Sequence, residues 1–203
     1  MQYLIFKSQI KTLSQHRRSL TRRVSWQCSC LLKEVQSDRI MAGESNLDSS
    51  LLDSCIFCSI ASEQDKEAKI LAKTDEILCF RDIDPAAPHH YLVIPREHIH
   101  SCLSLQRKHI NLIKKMAEMG KRVLQTQGVT DMNDISLGFH KPPFISVNHL
   151  HLHVIAPSSQ ICDFMIYKFI PGTESFILEK DLRKRLEKSE KQQNAKSLNC
   201  FSW

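Results

Sequence analysis

The sequence predicts one α+β domain in which an antiparallel sheet is flanked by helices. Short segments with strand character lie on both sides of a single long amphipathic helix, and short connections join neighbouring strands. The chain has 203 residues, of which 42% are hydrophobic and 25% charged. It is therefore long enough for one ordinary core with a tail at each end.

The elements before the long helix can be assigned in order. Residues 55–63 are expected to form a short helix with an apolar side. Residues 77–83 mix apolar and charged side chains, as a half-buried strand does. The proline-containing run 84–88 interrupts the chain, and a second strand at 90–94 ends at Pro95.

The long helix is predicted over 106–127, because apolar residues recur there near the helical period of 3.6 and Gly128 follows. Residues 134–139 and 147–155 are expected to be strands, separated by a tight loop at 141–143. A final helix should begin near Glu179 and reach about residue 186. The predicted domain covers residues 54–187, and residues 188–203 form a polar tail.

The net charge of +6 lies in the N-terminal segment. Seven of the 28 Lys and Arg fall within residues 1–33, and the first acid is Glu34, so the rest of the chain is close to neutral. Nothing in the core composition therefore favours a nucleic acid partner. No apolar run approaches the roughly 20 residues of a membrane-spanning helix, and we expect no membrane partner.

Residues 1–53 are expected to be a disordered basic and polar extension with a linker. The acid-poor, Arg- and Ser-rich start is typical of a mitochondrial presequence, whereas Met41 is a plausible second start that would make the segment dispensable. We favour the second interpretation. Eight cysteines without a secretory signal indicate a reducing compartment. The expected location is the cytoplasm and nucleus, or the mitochondrion if the presequence is real.

Three histidines alternate at positions 149, 151 and 153. On a strand they would project on one face, while Leu150 and Leu152 would pack on the other. Such a row suits a chemical site, and it also suits metal chelation, since imidazole is a common zinc ligand. A solvated strand face is the third interpretation, and the spacing alone does not separate the three.

Two motifs resemble signatures of the histidine triad superfamily. The run His-Leu-His-Leu-His-Val-Ile at 149–155 fits the pattern His-x-His-x-His-x-x with apolar x, and Phe-Arg-Asp-Ile-Asp-Pro-Ala-Ala-Pro-His-His-Tyr-Leu-Val-Ile-Pro at 80–95 resembles the second signature. With Cys-Ile-Phe-Cys-Ser-Ile at 55–60, the resemblance runs from about residue 55 to 157. The chain is most similar to the Hint branch of nucleotide-binding phosphoramidases. Among these it resembles vertebrate members with a Gly-Phe-His-x-Pro-Pro-Phe loop, here at 138–144.

The resemblance implies an enzyme that releases AMP from adenosine 5'-phosphoramidate and aminoacyl-adenylate substrates. His151 would attack the α-phosphorus and form a nucleotidyl-histidine intermediate, which is covalent catalysis. His149 and His153 would flank it, with His153 close to the phosphate. The upstream His90 would orient or buffer the nucleophile, and Ser146 would hydrogen-bond near the phosphate.

The resemblance also implies a nucleotide pocket and an assembly. Asp82 would bind the ribose hydroxyls, which suits an ionised carboxylate. The purine slot would be apolar, formed by Ile56, Phe57, Ile60, Phe80 and Ile83. Hint proteins pair, so a homodimer or larger homo-oligomer is expected.

Some superfamily members hold a structural zinc ion with a Cys pair and two histidines. The corresponding residues here would be Cys55, Cys58, His98 and His149, which are suitable ligands for tetrahedral zinc. We expect no cofactor to be required, and zinc is the lesser alternative. The chain departs from the Hint pattern before the triad, where Ile145 replaces a glutamine and residues 140–143 replace glycines.

Two other functions remain open. The Gly-Phe-His loop and residues 175–178 also resemble aprataxin, a DNA-adenylate hydrolase, although the near-neutral core does not favour DNA binding. The alternative without catalysis is a nucleotide-binding or scaffold protein.

Overall fold

Six antiparallel strands form one sheet in the part of the chain that this computed structural model describes, residues 55–198, with side chains described as far as 188. The predicted extension at 1–53 lies outside the described residues. The strands are β1 (Ile70–Lys73), β2 (Ile77–Arg81), β3 (His89–Pro95), β4 (Ser136–His140), β5 (Leu152–Ala156) and β6 (Phe176–Leu178). Their order across the sheet is β1-β2-β3-β5-β4-β6, which confirms the predicted α+β class.

Three α-helices accompany the sheet in this part of the chain: α1 (Ile56–Ala61), α2 (Ile110–Thr126) and α3 (Glu179–Leu198). A 3₁₀ turn at Arg107–His109 precedes α2, so the predicted start at 106 included a different helical geometry. Gly128 adopts a φ of 87°, a left-handed conformation that suits glycine after a helix. None of the described helices is long and apolar enough to cross a membrane.

The main core lies between α2 and one face of the sheet. Alternate residues of β3 and β5, such as Tyr91, Val93 and Val154, are completely buried against the helix. Gly120 allows a close approach, because a Cβ there would lie less than 3 Å from the Val154 side chain. Burial of apolar surface contributes about 25 cal/mol of stability per Å². This contact is therefore the principal stabilising term.

The opposite face carries two smaller clusters. Helix α1 packs Phe57 and Ile60 against β2 and β3. Beside it, the segment that follows the triad packs Met165 and Phe169 against the sheet. Ile56 of α1 is 49% exposed, so the predicted apolar side of this helix contains one residue fewer.

The structure corrects the bounds of two predicted strands and adds two strands. The strand expected at 147–155 starts only at Leu152, because the backbone N–H of Leu150 donates to the Ile99 carbonyl at 2.6 Å instead of joining the ladder. The strand expected at 77–83 ends at Arg81. Strands β1 and β6 were not predicted, and α3 continues beyond the predicted end at 186.

Candidate active site

Four imidazoles meet on the sheet face opposite α2. Alternation along β3 and β5 brings His90 and His153 to this face, and the register places Leu92 and Gly138 on either side of His153. The ring of His153 lies 5.2 Å from that of His90, 5.0 Å from His151 and 4.6 Å from His140, between centroids. The predicted grouping of His90, His151 and His153 is present.

The proton positions in this cluster follow from fixed backbone donors and acceptors. The Ala86 N–H donates to Nδ1 of His90 at 3.0 Å, so His90 carries its own proton on Nε2. That Nε2–H lies 2.9 Å from Nδ1 of His153 and donates to it. His153 must then carry its proton on Nε2, which is buried and has no hydrogen-bond partner among the described residues. A buried donor without a partner is costly, and this one lies at a cavity.

His151 has the opposite tautomer. Its Nδ1 lies 2.7 Å from the His149 carbonyl oxygen, which can only accept, so the proton is on Nδ1. The remaining nitrogen, Nε2, keeps its lone pair. The edge of the Phe57 ring contacts the imidazole at 5.3 Å between centroids and gives it an apolar neighbour. The geometry supplies a neutral nitrogen nucleophile.

Burial keeps the histidines uncharged. It lowers the pKa of His90 to about 3, with further lowering by His140 and His151, and it lowers the pKa of His140 to about 4. Burial is also the main reason that the pKa values of His151 and His153 are lowered. All four rings are therefore neutral near pH 7.

Asp82 lies beside the histidines. Its Oδ2 is 3.3 Å from Nε2 of His90 and 3.8 Å from Nδ1 of His153. Burial raises the pKa of Asp82 to about 6. The backbone N–H of Asp84 lowers this pKa by donating a hydrogen bond, and the negative charge of Asp84 raises it. Because His90 is neutral and its only N–H is directed at Nδ1 of His153, this contact is a close approach and not an ion pair.

A cavity of about 520 Å³ opens onto three of the four histidines, and His151 lies next to it without being among the lining residues. The histidine side contributes His90, His140 and His153 together with Asp82, and the predicted Ser146 lies at the loop before the triad. The opposite wall consists of residues between 165 and 175 that follow the triad: Met165, Tyr167, Lys168, Phe169, Thr173, Glu174 and Ser175. His153, whose buried Nε2–H has no partner among the described residues, is one of the side chains that line this cavity.

The residues predicted for the purine slot are not all brought together. Phe57, Ile60 and Phe80 are buried in the cluster beneath α1, whereas Ile56 is half exposed and Ile83 is 90% exposed. None of the five lines the 520 Å³ cavity. Their assignment to a base pocket stays a prediction.

Sequence reasoning missed His140 and the wall after the triad. His140 lies on β4 and packs against Phe169 at 5.2 Å between ring centroids. Its Nδ1 lies 3.4 Å from the Ser175 carbonyl. The alternation of His140 with Gly138 on β4 placed it on the sheet face that carries His153, so the register could have identified it.

A second cluster joins α1 to the start of the triad. Nδ1 of His149 lies 3.7 Å from Sγ of Cys55 and 3.5 Å from Sγ of Cys58, and Nδ1 of His98 lies 3.2 Å from Sγ of Cys58. These four ligand atoms all lie within 4.8 Å of one another. The Nε2–H of His149 donates to the Pro95 carbonyl at 3.0 Å, which leaves Nδ1 available. The donor set fits tetrahedral zinc.

Comparisons with known proteins agree on one family. Residues 54–165 match the family described as scavenger mRNA decapping enzyme C-term binding. Adenosine 5'-monophosphoramidase HINT3 of Danio rerio is 56% identical over 126 residues, which cover 62% of this chain and 79% of that protein. The protein of the same name from Xenopus tropicalis is 53% identical over 57% of this chain and 76% of its own length. Aprataxin of Gallus gallus is 32% identical over 47% of this chain and 29% of its length.

Proposed function

The chain belongs to the histidine triad family, and we propose that it is an adenosine 5'-monophosphoramidase that hydrolyses a phosphorus–nitrogen bond and releases AMP. The two HINT3 proteins of Danio rerio and Xenopus tropicalis carry this activity in their names and match this chain over 79% and 76% of their length. The single observation that supports the proposal is the tautomer of His151. Its Nδ1–H is held by the His149 carbonyl, so Nε2 is free to attack.

The reaction proceeds in two displacements. Nε2 of His151 donates its lone pair to the α-phosphorus, the phosphorus–nitrogen bond breaks, and the leaving amine takes the bonding pair and a proton. Water then attacks the phosphorus of the adenylyl-histidine, AMP leaves, and His151 is restored. A neutral nucleophile meets less repulsion from the anionic phosphate, and burial keeps it neutral.

The neighbouring side chains prepare the phosphate site. Nε2–H of His153 is a buried donor that a non-bridging phosphate oxygen would satisfy. His90 holds that ring in the required tautomer through the 2.9 Å contact. Asp82 accepts hydrogen bonds from ribose hydroxyls in its ionised form. Because its pKa is about 6, this form predominates when the pH is above that value.

A DNA-adenylate hydrolase would use the same chemistry, but two observations disfavour it. The similarity to aprataxin is lower and covers less than a third of that protein. The cavity also carries three carboxylates, Asp82, Asp84 and Glu174, against one lysine. A surface that binds DNA needs an excess of positive charge.

The proposal is tested by mass spectrometry of the enzyme quenched during turnover of adenosine 5'-phosphoramidate. We expect adenylylation of His151 in the wild type and its loss, together with turnover, in His151→Ala. The exposed His100→Gln serves as the matched control and should behave as the wild type. Unchanged turnover in His151→Ala would sink the mechanism. Binding of AMP without turnover in the wild type would favour a nucleotide-binding protein without catalysis.

We also propose that the second cluster holds one structural zinc ion through Cys55, Cys58, His98 and His149. Burial and the neighbouring Cys55 raise the pKa of Cys58 to about 11, so Cys58 is a thiol in the metal-free protein, and metal binding would release its proton. Zinc would tie α1 to the segment that carries the nucleophile. Metal analysis of the purified protein tests this directly, with one zinc per chain expected.

A further inference from the structure

Part of the loop before the triad has no backbone donor to offer to an anion. Pro142 and Pro143 have no N–H. The N–H of Lys141 already donates to the Ser175 carbonyl at 2.8 Å, and the N–H of Phe144 donates to the Lys141 carbonyl at 2.8 Å. All four positions at 141–144 are therefore without a free amide, and a phosphate in the cavity gains no backbone hydrogen bond from them.

The opposite wall is a fixed structure. Phe169 packs edge-on against His90 and His153 at 5.5 and 5.4 Å between ring centroids. The ammonium of Lys141 donates to the Thr173 carbonyl at 2.7 Å, and the Thr173 hydroxyl donates to the Ile170 carbonyl at 2.9 Å. The family match ends at residue 165, so most of this wall lies outside the matched range.

Lys168 is the single lysine or arginine among the described residues that line the cavity. It is half-buried, and no carboxylate of the described residues lies within 4 Å of its Nζ. Its charge reaches the histidine side, since it contributes to the lowered pKa values of His140 and His153 and opposes the raised pKa of Asp82. The acids Asp84 and Glu174 lie at exposed positions of the same cavity.

We propose that Lys168 and the Nε2–H of His153 together form an anion subsite that binds the non-bridging oxygens of the substrate phosphoryl group. The two donors line the same cavity, one with a permanent charge and the other buried and without a partner among the described residues. They supply hydrogen-bond donors that positions 141–144 do not offer. The inference rests on the proposed function for its substrate, and it adds a substrate-binding residue outside the two signature motifs.

The first test measures binding without turnover. Isothermal titration compares AMP with adenosine for the wild type, Lys168→Gln, Lys168→Arg and the control Lys121→Gln, an exposed lysine of α2. We expect Lys168→Gln to weaken AMP binding by roughly tenfold or more, as loss of a hydrogen bond to a charged group implies. Adenosine binding should not change, and Lys168→Arg should retain most of the AMP affinity. Equal AMP affinity in wild type and Lys168→Gln, or equal loss for adenosine and AMP, would overturn the proposal.

The second test separates the phosphoryl group from an acidic leaving group, since either could supply the anion. The kcat/KM of Lys168→Gln is compared for AMP phosphoramidates of an uncharged amine and of an amine that bears a carboxylate. A similar fall for both supports the phosphoryl contact, whereas a fall confined to the carboxylate substrate overturns it. If the wild type hydrolyses neither compound while AMP binding depends on Lys168, the proposed activity fails and the anion subsite stands.

Discussion

The buried histidines should make the protein acid-labile, and the effect can be calculated for His90 and His140. Their pKa values are lowered to about 3 and about 4, against about 6.5 in the unfolded chain. Between pH 6.5 and 4 the unfolded state therefore binds more protons than the folded state. The stability that the two neutral rings provide is complete above pH 6.5 and is lost as the pH falls through this window.

The magnitude follows from the two shifts. Lowering the pH from 7.5 to 5.0 should remove about 2 kcal/mol of unfolding free energy for each of the two histidines, because each pH unit of differential protonation is worth about 1.4 kcal/mol. Asp82 acts in the opposite direction, since its pKa is raised to about 6 and the folded state gains a proton there, which returns about 1 kcal/mol. These three groups together give a net loss of about 3 kcal/mol, and the lowered pKa values of His149, His151 and His153 add to it.

Urea unfolding at pH 7.5 and 5.0 measures this difference by linear extrapolation. His140→Gln should reduce the pH dependence by about 2 kcal/mol, whereas the exposed control His100→Gln should leave it unchanged. Equal stability at the two pH values would refute the reasoning. So would a His140→Gln variant whose pH dependence matches that of the wild type, because His140 would then be charged in the folded protein.

Three further predictions concern single positions. Asp82→Asn should raise the unfolding free energy at pH 7.5 by up to about 3 kcal/mol, because the ionised form of a buried carboxyl with a pKa of about 6 is disfavoured. The same variant should weaken adenosine binding. A lower unfolding free energy than that of the wild type would contradict the stability prediction. Cys58→Ser should lower the zinc content measured by mass spectrometry from one per chain and lower the melting temperature, and chelation should change the melting temperature of the wild type only. Gly138→Ala should destabilise by about 1–3 kcal/mol in urea unfolding, because its Cβ would lie less than 3 Å from the Phe176 ring; unchanged stability would show that the ring moves aside.

The sequence predicted the elements whose patterns are long or sharply bounded. The period of α2 extends over 17 residues, and β3 is bounded by Pro88 and Pro95, so both were identified. The strands β1 and β6 have four and three residues, too few for alternation to be visible. The predicted alternation over 147–155 was correct only from Leu152 onward, because the Ile99 carbonyl takes the Leu150 amide, a tertiary contact that the local pattern does not contain.

Within the candidate site, the motifs identified three of the four histidines together with Asp82 and Ser146, but not the wall after the triad. His90, His151 and His153 were predicted from the resemblance and do lie together. Lys168 lies 15 residues beyond His153 on a segment without a recognisable pattern. It lines the cavity because its neighbour Phe169 packs against the histidines, a tertiary contact. Ile83 was predicted as apolar pocket lining from the resemblance, but it follows the end of β2 and is exposed.

The two central imidazoles obtain opposite chemical roles from backbone atoms, not from side-chain charge. At one end the Ala86 N–H can only donate, so His90 accepts on Nδ1 and donates from Nε2 to Nδ1 of His153. His153, which lines the cavity, therefore carries its own proton on Nε2. At the other end the His149 carbonyl can only accept, so it retains the proton of His151 on Nδ1 and leaves a lone pair on Nε2. The proposed hydrogen-bond donor for the phosphate thus lies 5.0 Å, between ring centroids, from the proposed nucleophile, although the two residues are chemically identical. Because neither role depends on protonation from solvent, both persist while the rings stay buried and neutral.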